Sequence, residues 1–227
     1  MQNLVTVQQE KTESHINVQI GCTIVQIMGT LINPGYEKIL TLFHSNKHAK
    51  IHVREIARRT GLYAHSVNRF LNQLEKKSIL KSEKDGNLKK YSLRLTKETF
   101  LLLAYLDLQQ FEKLPGIRKH AILYFLKELK EKPIIAFLFG STAKNIFRSD
   151  SDIDILLIVN KPIDTEKAKN YADAQTGIKV NSIQITYHEF IQELKLKQEY
   201  VIQAAIETGY PLTNHIEYYE AILNESA

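Results

Sequence analysis

The chain has 227 residues, 44% of them hydrophobic and 24% charged, with one cysteine and a formal net charge of +5. That length suits two domains, each large enough to bury its own core. No apolar run approaches the ~20 residues of a membrane-spanning helix. The opening residues lack the basic and apolar blocks of a secretory signal, and the lone Cys22 cannot close an internal disulfide. A cytoplasmic protein without a membrane segment is therefore expected.

Charge is unevenly spread. Residues 49–94 hold twelve Lys/Arg against four Asp/Glu, a net of +8, whereas residues 134–227 hold eight against thirteen, a net of −5. The asymmetry predicts one module that meets a polyanion and one that does not.

In chain order, residues 1–15 are polar and unpatterned. Apolar residues then alternate at Ile16, Val18, Ile20, Cys22 and Ile24, which predicts a strand over residues 15–28 in an N-terminal extension, 1–30. Asn33-Pro34-Gly35 breaks the chain before a helix over 36–45. A helix over 53–60 stops at Gly61, and a second begins within a few residues, the helix-turn-helix arrangement. Two short strands follow around the hairpin signal Asp85-Gly86. A largely apolar helix over 95–113 reads as a connecting or dimerisation element. Leu114-Pro115-Gly116 ends it, and a helix over 117–130 leads to a strand over 134–139. After Gly140-Ser141 comes a second apolar strand that runs to Val159. A helix over 165–175 capped by Thr165, a strand over 178–186 and a helix through Glu189 and Leu194 complete the pattern.

The stretch from Phe137 to Val159 carries the chemistry. Asp152 and Asp154 are spaced i, i+2 at a strand start, so both point to one face. Like charges that close repel and raise each other's pKa, a cost that a divalent cation removes. Gly140 lets the backbone approach a phosphate, and the Ser141 hydroxyl can hydrogen-bond it. The competing reading is a loop serine with two solvated aspartates.

Gly140-Ser141 followed by Ser151-Asp152-Ile153-Asp154 on the next strand resembles the nucleotidyltransferase superfamily of DNA polymerase β type, in particular its minimal members. The resemblance implies that Gly140, Ser141 and Ser151 hold the phosphates of a nucleoside triphosphate and that Asp152 and Asp154 bind Mg²⁺ or Mn²⁺. It implies that Lys144 and Arg148 neutralise phosphate charge, although both also read as solvated loop charges. In active members a third carboxylate stands on the third strand. The matching position here is Asn181, whose amide carries no charge and cannot act as a base near neutrality. Asp173 or Glu189 could complete the site only if the fold brings it there. The tail, Lys179-Val-Asn-Ser-Ile through Thr208-Gly-Tyr-Pro-Leu212, is similar to nucleotidyltransferase-domain proteins that carry an N-terminal winged helix.

The run Arg54-Glu-Ile-Ala-x-x-Thr-Gly-Leu62, with Val67, Leu71 and Leu74 after it and the basic hairpin beyond, resembles the winged helix-turn-helix domain of transcriptional regulators. With Val67, Phe70, Leu71 and Leu74 turned to the core, His65, Ser66, Asn68, Arg69 and Asn72 face outward, as a base-reading helix requires. Arg58, Arg59, Lys81, Lys84, Lys89 and Lys90 are then the expected phosphate contacts. A solvated basic surface used for protein contacts is the alternative.

The expected fold is α+β: a winged helix-turn-helix domain (31–94), a connecting helix (95–115) and a polymerase β-type nucleotidyltransferase domain (116–227). The expected function is a homodimeric DNA-binding regulator that takes NTP–Mg²⁺ and transfers a nucleoside monophosphate to a protein acceptor, a toxin-like partner, with release of pyrophosphate. The alternatives are an inactive fold serving as ligand sensor or dimerisation platform, and transfer to a small molecule.

Overall fold

A computed structural model describes residues 33–225. The strand expected over 15–28 lies outside the described residues. Contacts group the chain into two compact units, one holding Asp107–Asn214, the other running to Leu106 and resuming at His215.

In the N-terminal unit, α1 (Pro34–Ser45) starts where the Asn33 side chain accepts from the Gly35 N–H at 2.8 Å, with proline at the first helical position. The short strand β1 (Ile51–His52) leads into α2 (Val53–Thr60), which ends at Gly61 in the left-handed region, φ 68°. Next comes α3 (Ala64–Lys76), preceded by an extended Tyr63 that is 87% exposed and supplies no side-chain cap. Strands β2 (Leu80–Asp85) and β3 (Leu88–Leu93) form an antiparallel hairpin, and β1 pairs with β3 to give the order β1-β3-β2. The apolar faces of the three helices bury Ile39, Phe43, Ile56, Val67, Phe70, Leu71 and Leu74 with Tyr91 and Leu93 of the sheet.

Helix α4 (Lys97–Glu112) contains the division between the units. The last helix, His215–Glu225, belongs to the N-terminal unit, whereas the sequence placed it in the second domain. The reason is aromatic burial: Tyr219 stacks on Phe100 with centroids 5.8 Å apart, and Tyr218 and Tyr219 are both buried.

The second unit begins with α5 (Gly116–Glu128) and continues through β4 (Ile135–Phe139), α6 (Gly140–Ala143), β5 (Ile153–Val159), α7 (Glu166–Thr176) and β6 (Val180–Thr186). It closes with α8 (Tyr187–Leu196), α9 (Tyr200–Thr208) and β7 (Tyr210–Pro211); the terminal helix is α10. The sheet order is β6-β5-β4-β7, with β5 and β6 parallel across α7 and the other pairs antiparallel. Alternation along β5 sends Ile153, Ile155, Leu157 and Val159 into the core with Ala121, Ile122 and Phe125 of α5 and Ala168 and Ala172 of α7. Asp152 and Asp154 consequently belong to the opposite face. Thr165 precedes α7 but makes no side-chain cap; its hydroxyl instead meets that of Ser182 at 3.2 Å.

Because Leu157 is fully buried in the central strand, Leu157→Ala is expected to cost about 2–5 kcal/mol. Urea unfolding followed by circular dichroism measures this, and an unchanged midpoint would remove β5 from the core.

Candidate functional site

Strand pairing assembles the site. The β4–β5 ladder ends at Phe139 opposite Asp154, and the β5–β6 ladder sets Asp154 beside Asn181. Gly140 therefore turns the chain directly at Asp154. Its φ is 71°, and a Cβ there would lie 2.3 Å from Asp154 Oδ2. Both the backbone conformation and the missing side chain demand glycine. In the short α6, Ser141 is half-buried and its hydroxyl makes no hydrogen bond to a described residue, while Thr142 is buried.

The carboxylates of Asp152 and Asp154 are both half-buried, and the exposed Asn181 donates from Nδ2 to Asp152 Oδ2 at 3.0 Å. Burial pushes the Asp154 carboxyl above the usual carboxylate range; hydrogen bonding from the Asn181 amide opposes this and the Asp152 charge adds to it. Two partly desolvated carboxylates beside a side-chain-free turn fit one hard divalent cation that takes its remaining ligands from phosphate and water. They do not form a protein-only cage: among the described residues no group of three or more His, Cys, Asp or Glu could hold a metal.

Neither acid that could have served as a third carboxylate does so. Glu189 is committed to the capping box of α8, where Oε2 accepts from the Thr186 N–H at 2.7 Å and from its hydroxyl at 2.8 Å. Asp173 sits on α7 and joins no such group.

The loop before β5 is shaped internally. The Arg148 N–H donates to Ser151 Oγ at 2.9 Å and the Ser151 N–H to the Arg148 carbonyl at 3.2 Å. Ser151 thus builds the turn that delivers Asp152. Lys144 and Arg148 are exposed on the same loop, and neither forms an ion pair with a described residue. Sequence reasoning missed Arg118 of α5, which is 2% exposed and reaches this loop. A signal existed, since Arg118 takes i, i+3, i+4, i+7 spacing with the core residues Ala121, Ile122 and Phe125.

Residues 120–214 match the model of the family described as polymerase beta, nucleotidyltransferase. This region is a nucleotidyltransferase-type domain. The match covers less than half of the chain and speaks for that region alone. Searches of curated proteins and of solved structures return no match.

In the N-terminal unit, His65, Asn68, Arg69 and Asn72 are exposed on α3 and Ser66 is half-buried. Of the expected phosphate contacts, Arg59, Lys81 and Lys84 are exposed without an ion pair among the described residues. Three others are engaged by carboxylates. Arg58 donates to both oxygens of Glu55, at 2.9 and 2.6 Å, Lys89 lies 2.8 Å from Glu75, and Lys90 pairs with Asp85. Lys89 also stands directly across the hairpin from Lys84, a like-charge pair that Glu75 offsets.

Two outcomes are expected. A carboxyl with a folded-state pKa above its unfolded value withdraws stability as pH rises through that window. Asp154→Asn should therefore raise the thermal midpoint of metal-free protein at pH 7, and the gain should vanish as pH falls toward the ordinary carboxylate value of about 4. Gly140→Ala should lower stability by about 1–3 kcal/mol through its left-handed φ and displace Asp154; calorimetry and Mn²⁺ binding measure the two effects.

Proposed function

We propose that this protein is a DNA-binding regulator whose nucleotidyltransferase-type domain takes a nucleoside triphosphate together with Mg²⁺ or Mn²⁺. The observation that carries the reading is the pair Asp152 and Asp154, two residues apart at the start of β5, with Asp154 directly under the left-handed turn at Gly140. In this reading Asp152 and Asp154 hold the cation. Gly140 and Ser141 receive the phosphates, with Ser141 donating its unengaged hydroxyl. Lys144 and Arg148 balance the phosphate charge from the loop rim, and Ser151 keeps the turn in shape. The bound cation supplies charge neutralisation at the phosphate oxygens.

Transfer of a nucleoside monophosphate to a protein hydroxyl needs a group that takes the hydroxyl proton. Asn181 cannot take it, and its amide N–H is already given to Asp152. That hydrogen bond, with Glu189 committed to a helix cap, favours a second reading in which the domain binds the nucleotide as a signal and transfers nothing.

The regulator half of the proposal rests on the N-terminal unit. The order α1-β1-α2-α3-β2-β3 supports reading it as a winged helix, with α3 as the base-reading helix and the β2–β3 hairpin as the wing. His65, Asn68, Arg69 and Asn72 offer the base-edge donors and acceptors. Arg59, Lys81 and Lys84 supply the phosphate contacts.

Equilibrium dialysis with labelled ATP and Mg²⁺ tests the pocket: binding is expected, and Asp152→Asn with Asp154→Asn should abolish it. Equal affinity in the double variant would contradict the proposal. Incubating the same label with cell lysate separates transfer from sensing. On DNA carrying its own promoter, affinity should fall steeply with salt, and Lys81→Ala with Lys84→Ala should reduce the log–log slope by about 1 per lysine. Salt-independent binding would remove the regulator reading.

A further inference from the structure

Arg118 is a buried cation without a conventional partner. It is 2% exposed, and it makes no ion pair with a described residue. Burial pulls its guanidinium below the ordinary arginine value while the Asp152 charge pulls it back up. A charge held in a protein interior is costly unless its donors are met by well-placed acceptors. Here they are met from one direction. Nη1 donates to Thr142 Oγ1 at 3.0 Å, and Nη2 donates to the carbonyls of Arg148 at 2.9 Å and Ser151 at 2.8 Å. The guanidinium also lies over the Phe147 ring, 4.0 Å from its centroid.

These contacts converge on two things: the α6 turn that follows Gly140, and both ends of the Arg148–Ser151 turn that delivers Asp152. The loop's other supports are short-range: the N–H groups of Lys144, Asn145 and Ile146 donate to the carbonyls of Gly140, Thr142 and Ser141, and Phe147 is partly buried against the core. Lys144, Asn145, Ile146, Arg148, Ser149 and Asp150 are all exposed, and Asn145 has a positive φ of 55°. Arg118 is read as a structural group and not as a phosphate ligand, because it is 2% exposed and three of its five N–H donors go to protein oxygens.

We propose that Arg118 is a positioning residue that fixes the Asp152 loop against α6, so that the phosphate side and the metal side of the pocket keep one separation. Arg118 precedes the matched region 120–214, so this role comes from the contacts of this chain. The planar fork matters as much as the charge: two carbonyls and a hydroxyl are held by one rigid group, a geometry that a lysine ammonium cannot reproduce. The role rests on the nucleotide-binding reading for its purpose, and on the loop geometry alone for its existence.

The experiment combines hydrogen exchange on ligand-free protein with ATP–Mn²⁺ titration for Arg118→Gln and Arg118→Lys. Arg118→Lys keeps the charge and serves if the glutamine variant does not fold. Amides of residues 146–152 should exchange about tenfold faster in both variants while β5, β6 and α7 keep their protection. Affinity for ATP–Mn²⁺ should fall about 10- to 100-fold, as for other groups that orient a metal ligand. Wild-type protection of 146–152 overturns the proposal, and so does a uniform loss across Asp107–Asn214, which marks a packing role only. If the unsubstituted protein binds no ATP–Mn²⁺, the nucleotide reading falls, and the exchange pattern still decides whether Arg118 holds the loop.

Discussion

The second unit depends on one electrostatic constraint: two carboxylates, Asp152 and Asp154, lie two residues apart at the start of β5, where burial and the neighbouring Asp152 charge disfavour the charged form of Asp154. Much of the local architecture accommodates it. Gly140 withdraws its side chain so that Asp154 fits beneath the turn, Asn181 turns an amide N–H toward Asp152, and Arg118 ties down the loop that brings Asp152 to the strand. Each device relieves the repulsion or fixes the geometry, and none removes the negative charge. That retained charge is the physical reason for the proposal that the site takes a metal and phosphate.

The same geometry separates binding from chemistry. Holding a triphosphate requires donors and a cation; moving a nucleotide to a hydroxyl also requires a proton acceptor. The chain supplies candidates for the first set in Ser141, Lys144 and Arg148. For the second, the residue facing Asp154 across the parallel ladder is an amide, and one alternative acid, Glu189, is occupied at the start of α8.

How much could be read beforehand follows from the range of each interaction. The placement of Gly140, Ser141 and the Asp152/Asp154 pair was legible because it is carried by neighbours in sequence and by the two-residue period of a strand. The helix order of the N-terminal unit was legible for the same reason, from the glycine stop at Gly61 and the spacing of Val67, Phe70, Leu71 and Leu74. Arg118 was not, since its acceptors lie 24 to 33 residues away and a helical arginine is ordinarily a solvated charge. Nor was the destination of the last helix, which is decided by Tyr219 finding Phe100. Counting lysines and arginines does not reveal that Glu55, Glu75 and Asp85 engage three of them.

The central claim is that Asp152 and Asp154 together form one cation site that holds a nucleotide. Electron paramagnetic resonance of Mn²⁺ titrated into the protein with ATP present counts bound ions directly. The account predicts one protein-bound Mn²⁺–ATP per chain, lost on Asp154→Asn and retained on Asn181→Ala. A protein that binds no Mn²⁺–ATP, or binds it equally well without the Asp154 carboxylate, would contradict it.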